Sequence, residues 1–256
     1  MAERIALRIE YDGTDFHGSQ LQANARTVQG DLEKALLTLF QIPIRIKMAS
    51  RTDAGVHATD QIAAFNADTQ FDMTTIRKAL NYHLPKDVAV KTAQKVHGAF
   101  DARGGALSRK YVYKIDNSIT RSPITRRTEI SVQDPLDETQ MSAAAQVLVG
   151  THDFMSFAGP SIGEGGTAVR RLSAIDVTRD GDLVTVFFEA NAYVHQQVRK
   201  MVAALIKVGR RTMTQGDIES LIETPERGSF NPVAPAHALC LTQIVYPETG
   251  SNALHP

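Results

Sequence analysis

One short loop of the 256-residue chain carries the residue types that catalysis most often uses. Residues 50–58 read Ser-Arg-Thr-Asp-Ala-Gly-Val-His-Ala and interrupt two stretches of strand-like alternation. Function often lies on such loops, and Asp53 is a candidate nucleophile or general base. The same residues also suit a plain turn, in which Asp53 bonds its own backbone and Gly55 takes a positive φ. The local pattern leaves both interpretations open.

A carboxylate in a site that excludes water needs a positive partner, because desolvation alone would raise its pKa and protonate it. Arg199 is the candidate partner of Asp53, and Arg51 is a rival, although its position in the loop suggests a phosphate contact. It lies on a different face of a predicted helix from the apolar stripe that contains Val194, Val198 and Met201. An ordinary solvated arginine explains the position equally well.

Two basic segments and one loop arginine are candidates for phosphate contacts. Arg51 stands two residues before Asp53 in the loop. Residues 108–127 contain Arg109, Lys110, Lys114, Arg121, Arg126 and Arg127, and residues 191–215 contain Arg199, Lys200, Lys207, Arg210 and Arg211. The first segment has Asp116 as its one acid, and the second has none. Solvated strand and helix faces explain such charge runs equally well.

Composition excludes several classes of protein. Hydrophobic residues make up 43% and charged residues 22%, which is typical of a folded chain. Lys+Arg and Asp+Glu both total 28, so the net charge is no evidence for or against a polyanionic partner. The single cysteine, Cys240, excludes an internal disulfide and fits a cytoplasmic location. No apolar stretch approaches the roughly 20 residues of a membrane span, and Glu3, Arg4 and Arg8 interrupt any secretory signal.

Hydrophobic periodicity predicts strands and helices in two similar sets. The first has strands at residues 5–11, 44–48, 61–65 and 88–90 and helices at 28–39 and 75–84. The second has strands at residues 111–115, 174–177, 183–188 and 239–246 and helices at 137–149 and 194–208. The pattern predicts an α+β protein of two lobes that meet at a cleft, residues 1–104 and 105–256, with the boundary in the glycine-rich residues 98–105.

Residues 51–57, Arg-Thr-Asp-Ala-Gly-Val-His, resemble the signature loop of the tRNA pseudouridine synthase A family, with Asp53 at its essential aspartate. Further segments match in the family's order: Tyr11-Asp12-Gly13-Thr14, Phe100-Asp101-Ala102-Arg103, Arg109-Lys110-Tyr111-Val112-Tyr113, Phe154-Met155-Ser156-Phe157, Val194-His195-Gln196-Gln197-Val198-Arg199 and Gly209. The resemblance therefore covers nearly the whole chain. Two positions depart from it: Ser19, where the family often has Trp, and Asp101, where His is frequent. Both departures bear on local RNA contacts more than on the chemistry.

The resemblance implies an α+β fold of two similar mixed α/β lobes with largely antiparallel sheets around a central active-site cleft. It implies an isomerase without cofactor or metal that converts uridine to pseudouridine at positions 38, 39 and 40 of the tRNA anticodon stem-loop. The family breaks the N1–C1′ bond, turns the uracil and rejoins it through C5, on a base flipped out of its stem. Asp53 would attack or stabilise C1′, or remove a sugar proton. The family works as a homodimer with one RNA across both subunits.

The resemblance also assigns roles to individual residues. Arg199 matches an active-site arginine that pairs with Asp53, and Tyr111 matches a tyrosine on which the detached uracil stacks. Tyr111 and Tyr113 share one strand face, so both also suit a protein core. The residues expected to contact RNA are Arg51, Arg109, Lys110 and Lys200.

A metal-dependent hydrolase and a non-catalytic RNA-binding protein are the alternatives. The chain has 8 histidines but no His-Glu-x-x-His and no paired-cysteine motif. Asp53 with His57 supplies two ligands where catalytic zinc usually takes three from protein. No glycine-rich phosphate loop indicates a nucleotide cofactor. An RNA-binding protein shares the basic segments but has no need of an acid inside a basic loop.

Overall fold

The computed structural model describes residues 2–161 and 166–247, and the chain divides into two compact units. The first unit contains the described residues up to Arg109 and those from Leu241, and the second contains Lys110–Cys240. The division therefore falls inside a strand, and the last strand returns to the first unit. This differs from the predicted lobes 1–104 and 105–256, because periodicity identifies a strand without indicating which sheet it joins.

Helices and strands follow each other in mixed order. They are β1 (Glu3–Tyr11), α1 (Val28–Phe40), β2 (Lys47–Met48), β3 (His57–Ala67), α2 (Met73–His83), β4 (Val88–Val96), β5 (Ser108–Asp116), β6 (Ile130–Ser131), α3 (Glu138–Val147), β7 (Gly150–Asp153), β8 (Val169–Asp180), β9 (Leu183–Ala190), α4 (Gln197–Gly209), α5 (Gln215–Glu223) and β10 (Leu239–Val245). The predicted α+β class is confirmed. Within the described ranges, no helix is long and apolar enough to cross a membrane.

The first unit is a sheet with two helices. β1 pairs antiparallel with β3 and β4, β10 follows β3, and the short β2 also joins β3. The alternating Ile5, Leu7 and Ile9 that predict β1 are fully buried. Helix α2 packs on β4, and α1 packs against α2. Thr27 caps α1, which begins as predicted at residue 28: its hydroxyl oxygen accepts from the Gly30 N–H over 3.1 Å.

The second unit repeats this combination of a mostly antiparallel sheet with helices. Its strand order is β5-β9-β8-β7, with β7, β8 and β9 antiparallel and β6 parallel to β5. Helix α3 packs against β8, α4 and α5. Helix α4 begins at Gln197 rather than at the predicted residue 194, because Gln196 has a φ of 61° and cannot be part of a right-handed helix. The apolar stripe predicted for α4 is buried, as expected.

Candidate active site

The loop that carries Asp53 joins β2 to β3 in the first unit and is closed as a turn. The Val56 N–H donates to the Asp53 carbonyl over 3.2 Å, and Gly55 between them has a φ of 81°. The turn interpretation is therefore correct for the backbone. Asp53 is half-buried, and Arg51 is exposed.

The connection between β1 and α1 packs directly against this loop. A Cβ atom at Gly13 would lie 2.0 Å from the Val56 carbonyl oxygen, which no side chain can tolerate. A Cβ atom at Gly18 would lie 2.9 Å from the Thr52 carbonyl oxygen, and Gly18 has a φ of +92°. Both positions therefore require glycine, because backbone meets backbone there. The close approach fixes the loop from one side over its whole length.

Side chains from outside the loop bond both neighbours of Arg51. The amide of Gln61, at the middle of β3, accepts from the Ser50 N–H over 3.1 Å and donates to the Ser50 carbonyl over 2.9 Å. The Ser19 hydroxyl oxygen accepts from the Thr52 N–H over 2.9 Å, and the Ser19 N–H donates to the Thr52 carbonyl over 3.1 Å. Gln61 is 0% exposed and Ser19 is 1% exposed. The side-chain bond between Ser19 and Thr52 is buried, and the two bonds between Gln61 and Ser50 are partly buried.

The sequence pattern indicates no role for Gln61, although one signal was available. Gln61 is a lone amide at the head of the apolar run 62–65, and a buried polar side chain needs partners. Tyr11 belongs to the same network. Its hydroxyl lies 2.8 Å from the Thr52 hydroxyl and 3.4 Å from the Gln61 side-chain nitrogen.

His57 holds the start of the connection between β1 and α1. The Gly13 N–H donates to its Nδ1 over 2.9 Å, and a carboxylate oxygen of Asp12 lies 3.2 Å from the same nitrogen. That oxygen also accepts from the Thr14 N–H over 3.0 Å. The bond between Gly13 and His57 is buried. His57 therefore fixes Gly13, which in turn contacts Val56.

Arg109 lies inside the first unit rather than at its surface. It is 7% exposed, and its guanidinium donates to the carbonyls of Arg103 (2.6 Å), Ala106 (3.1 Å) and Ala49 (3.3 Å). Ala49 immediately precedes the Asp53 loop. This placement does not suit the phosphate contact expected from the sequence, because the charge is used on carbonyls. Arg109 is a further anchor of the loop's first residues.

Tyr111 and Tyr113 on β5 are both buried, but they have different neighbours. Tyr111 is 5% exposed, and its ring meets the ring of Tyr193 edge to face at 5.3 Å between centroids. Tyr113 is fully buried and donates its hydroxyl to the Pro235 carbonyl over 2.9 Å. Burial raises the pKa of Tyr113. Tyr113 is thus a core residue, whereas Tyr111 lies in an aromatic pair that would also suit a planar base.

Arg199 lies in the first turn of α4 and is not an ordinary solvated arginine. It is half-buried, and its Nε donates to the Ala234 carbonyl over 2.8 Å. The Ala234 N–H in turn donates to the Arg199 carbonyl over 3.1 Å. This pair of bonds fixes the direction of the guanidinium within the second unit.

The two predicted lysine contacts differ. Lys200 is 5% exposed, and its ammonium donates to the carbonyls of Phe230 (2.7 Å) and Ala158 (3.0 Å). Burial lowers the pKa of Lys200. This placement does not favour the expected phosphate contact, because the ammonium joins two loops inside the second unit. Lys110 is half-buried, and its ammonium lies 4.0 Å from the Glu189 carboxylate.

The cations of the two basic segments differ in their surroundings. At the end of α4, Arg210 pairs with Asp134 over 2.9 Å and Arg211 pairs with Asp137 over 3.1 Å. The exposed cations of the other segment are Lys114, Arg121, Arg126 and Arg127. Residues 108–127 are therefore the better candidate for contact with a polyanion. Among the residues that the structure describes, no group of three or more metal-binding side chains is arranged around a common point.

These observations first define a class: an α+β protein of two sheet-and-helix units, with a carboxylate on a loop held by glycine contacts and buried polar anchors. Comparison with known proteins then gives the family. The family described as tRNA pseudouridine synthase matches residues 8–103 and 144–247. These ranges contain Asp53 and Arg199, and Tyr111 lies between them.

Relatives of this chain span nearly its whole length. The tRNA pseudouridine synthase A of Methylobacterium sp. (strain 4-46) is 40% identical over 248 residues, 96% of this chain and 99% of the relative. That of Beijerinckia indica is 40% identical over 252 residues, with 97% and 96% covered. That of Shewanella amazonensis is 38% identical over 253 residues, with 96% and 94% covered. The chain belongs to the tRNA pseudouridine synthase family, a family of isomerases, which confirms the predicted family and enzyme class.

Proposed function

We propose that this protein isomerises uridine to pseudouridine at positions 38, 39 and 40 in the anticodon stem-loop of tRNA, with Asp53 as the essential group. The observation that carries the proposal is the fixed loop around Asp53. Gly13, Gly18, Ser19 and Gln61 hold its backbone before any substrate binds. Preorganisation of this kind is what a positioned carboxylate needs in order to act on one carbon atom.

The isomerisation conserves all atoms, so it needs a group that acts and is then regenerated. When the N1–C1′ bond breaks, C1′ gains positive charge and the uracil leaves with the bonding electrons. The Asp53 carboxylate either bonds to C1′ or takes a sugar proton. The uracil then turns, C5 bonds to C1′ and loses its proton, and N1 gains one. Asp53 is free again at the end, and no cofactor takes part in any step.

Two further residues, Arg199 and Tyr111, are proposed to act in the reaction. Arg199 supplies the positive charge that keeps Asp53 ionised when water is excluded. Its bonds with Ala234 support this role, because a fixed guanidinium loses little entropy when it pairs with a carboxylate. Tyr111 supplies a flat surface for the detached uracil, and its edge-to-face contact with Tyr193 keeps the ring in one orientation.

The proposed RNA-binding set is Arg51, Lys110 and the exposed cations at residues 114–127. Arg109 and Lys200 are not part of it, because both donate to carbonyls in the interior. The target uridine lies in a stem, so it must be flipped out before Asp53 can reach its sugar. We further propose a homodimer that binds one tRNA across both subunits, and a cytoplasmic location, where tRNA is found.

The test is release of tritium from a tRNA transcript labelled at C5 of uridine, because only replacement of that hydrogen frees the label. Wild type is assayed beside Asp53→Asn, which keeps the side-chain shape but cannot act as nucleophile or base. Asp182→Asn is the control, since Asp182 lies exposed in the turn between β8 and β9. All reactions contain chelator and no added cofactor.

We expect release with wild type and Asp182→Asn, and none with Asp53→Asn, at similar tRNA affinity for all three. Transcripts with cytidine at position 38, 39 or 40 then locate the modified uridines. No release by wild type from several tRNAs, with tight binding retained, would instead indicate a non-catalytic RNA-binding protein. Release that survives Asp53→Asn would remove Asp53 from the mechanism.

A further inference from the structure

Gln61 uses every hydrogen-bonding position of its side chain. Its oxygen accepts from the N–H groups of Ser50 (3.1 Å) and Ile62 (3.2 Å). Its nitrogen donates to the Ser50 carbonyl (2.9 Å) and to the Tyr11 hydroxyl (3.4 Å). An amide offers two acceptor sites and two donors, so the set is complete. No other uncharged side chain of this length can reproduce it.

Ser19 holds Thr52, two residues after Ser50, in a similar way. Its hydroxyl oxygen and its own N–H bond the N–H and the carbonyl of Thr52, at 2.9 Å and 3.1 Å. Gln61 and Ser19 therefore hold the backbone on both sides of Arg51, and Asp53 follows directly. Each buried bond is expensive to leave unmade, at about 1–3 kcal/mol for an unsatisfied backbone group. Gln61 and Ser19 remove that cost at two nearby positions of a single loop.

We propose that Gln61 and Ser19 are positioning residues that set the location of Asp53 for the isomerisation. The proposal rests on the proposed function of Asp53, and it assigns neither residue a contact with RNA. Ser50 and Thr52 are the last fixed points before Asp53, so a shift at either one moves the carboxylate directly. A displacement of about 1 Å at a reacting group costs on the order of 100-fold in rate.

Two variants test the proposal, each with a control that removes the same kind of bond elsewhere. Gln61→Met keeps the side-chain length and removes both bonds to Ser50. Asn81→Leu is its control, since the Asn81 amide bonds the N–H and carbonyl of Val90 over 2.7 Å and 2.8 Å, away from the loop. Ser19→Ala removes the acceptor for the Thr52 N–H.

The control for Ser19→Ala is Ser156→Ala. Ser156 is fully buried, and its hydroxyl oxygen accepts from the Glu226 N–H over 3.1 Å in the second unit. All four variants are compared with wild type by thermal melting, by kcat and KM for tritium release, and by backbone hydrogen exchange. The assays are run well below the lowest melting temperature, so that every variant is folded.

We expect Gln61→Met to lower kcat by about 100-fold and Ser19→Ala by about 10-fold, with KM for tRNA within threefold of wild type. Asn81→Leu and Ser156→Ala should lower the melting temperature but keep kcat within twofold. Hydrogen exchange should quicken at residues 50–56 in the two loop variants. In Asn81→Leu it should quicken at Val90 instead.

Two results would overturn the proposal: kcat falls no further in the loop variants than in their controls, or exchange at residues 50–56 stays as slow as in wild type. If Gln61→Met fails to fold, Ser19→Ala alone decides, because it removes a single oxygen atom. If wild type itself releases no tritium, the proposed function fails. The exchange measurement then still shows whether the two side chains fix the loop.

Discussion

Gly13→Ala is the sharpest perturbation of the loop that leaves every polar group in place. The new Cβ atom would lie 2.0 Å from the Val56 carbonyl oxygen, and real Cβ contacts stay beyond 3.0 Å. One of the two backbones must therefore retreat by about 1 Å. Because Val56 closes the turn on Asp53 through a 3.2 Å bond, the carboxylate moves with it. We expect kcat to fall on the order of 100-fold, at a cost of about 1–3 kcal/mol in stability.

The assay for Gly13→Ala is tritium release under saturating tRNA, with KM measured separately. Its control is Gly98→Ala, since nothing lies within 4 Å of the Cβ atom at that position. Gly98→Ala should retain wild-type kcat, and KM should change little in both variants. If folded Gly13→Ala keeps kcat within threefold of wild type, the exact place of the loop does not limit the reaction, and the reasoning is refuted.

Three further predictions address the second unit. Tyr111→Phe should keep tRNA affinity within about twofold in filter binding while turnover falls, if the ring stacks on uracil and the hydroxyl assists at C5. The log of the binding constant falls with the log of the salt concentration, and Arg121→Gln should make this slope less steep by about 0.7–0.9. Lys200→Met should leave the slope unchanged. The pKa of Asp116 is lowered, chiefly by the Ser118 hydroxyl, so its stabilisation is present above the ordinary value of 3.8 and lost as pH falls through the lower folded pKa. The difference in urea stability between wild type and Asp116→Asn should therefore shrink below pH 3.8.

Each of these predictions has an outcome that contradicts it. Loss of tRNA binding in Tyr111→Phe would mean that its hydroxyl, and not its ring, holds the substrate. A lower salt slope in Lys200→Met would mean that its ammonium leaves the interior when RNA binds. A stability difference for Asp116→Asn that stays constant down to the acid transition would mean that folding does not lower the pKa of Asp116.

Periodicity and capping predict most elements of the fold because both are local. Thr27 places the start of α1 correctly, and Asp137 places the start of α3. β7 and α5 lie outside the predicted elements for equally local reasons. β7 is four residues long, and its sequence, Gly-Thr-His-Asp, contains no large apolar side chain. It therefore shows no alternation of apolar and polar residues. α5 is short, and its main signal is the capping box between Thr214 and Asp217.

Charge patterns are less informative, since the same residue types hold the interior together. Arg109 and Lys200 stand in basic runs that suit phosphates, yet both are buried with their charges on carbonyl oxygens. Nothing in a run of cations indicates which side chain points inward, because burial depends on how distant segments pack, as with Ala49 against Arg109 and Ala158 and Phe230 against Lys200. Arg51 and Arg121 stand in similar contexts and are exposed.

The partners that support the Asp53 loop are visible only in three dimensions, because local patterns do not indicate which residues of different segments pair. Gly13 and Ser19 come from the connection before α1, and Gln61 comes from β3. An apolar side chain at Gln61 would pack in β3 without any need for partners, so burial of the amide is not the simplest way to fill the core. A protein that keeps such a group gives up some ease of folding for a defined geometry elsewhere. Gly13, Gly18, Ser19 and Gln61 all belong to the first unit, so the loop backbone is held by side chains and glycine contacts of the unit that carries it.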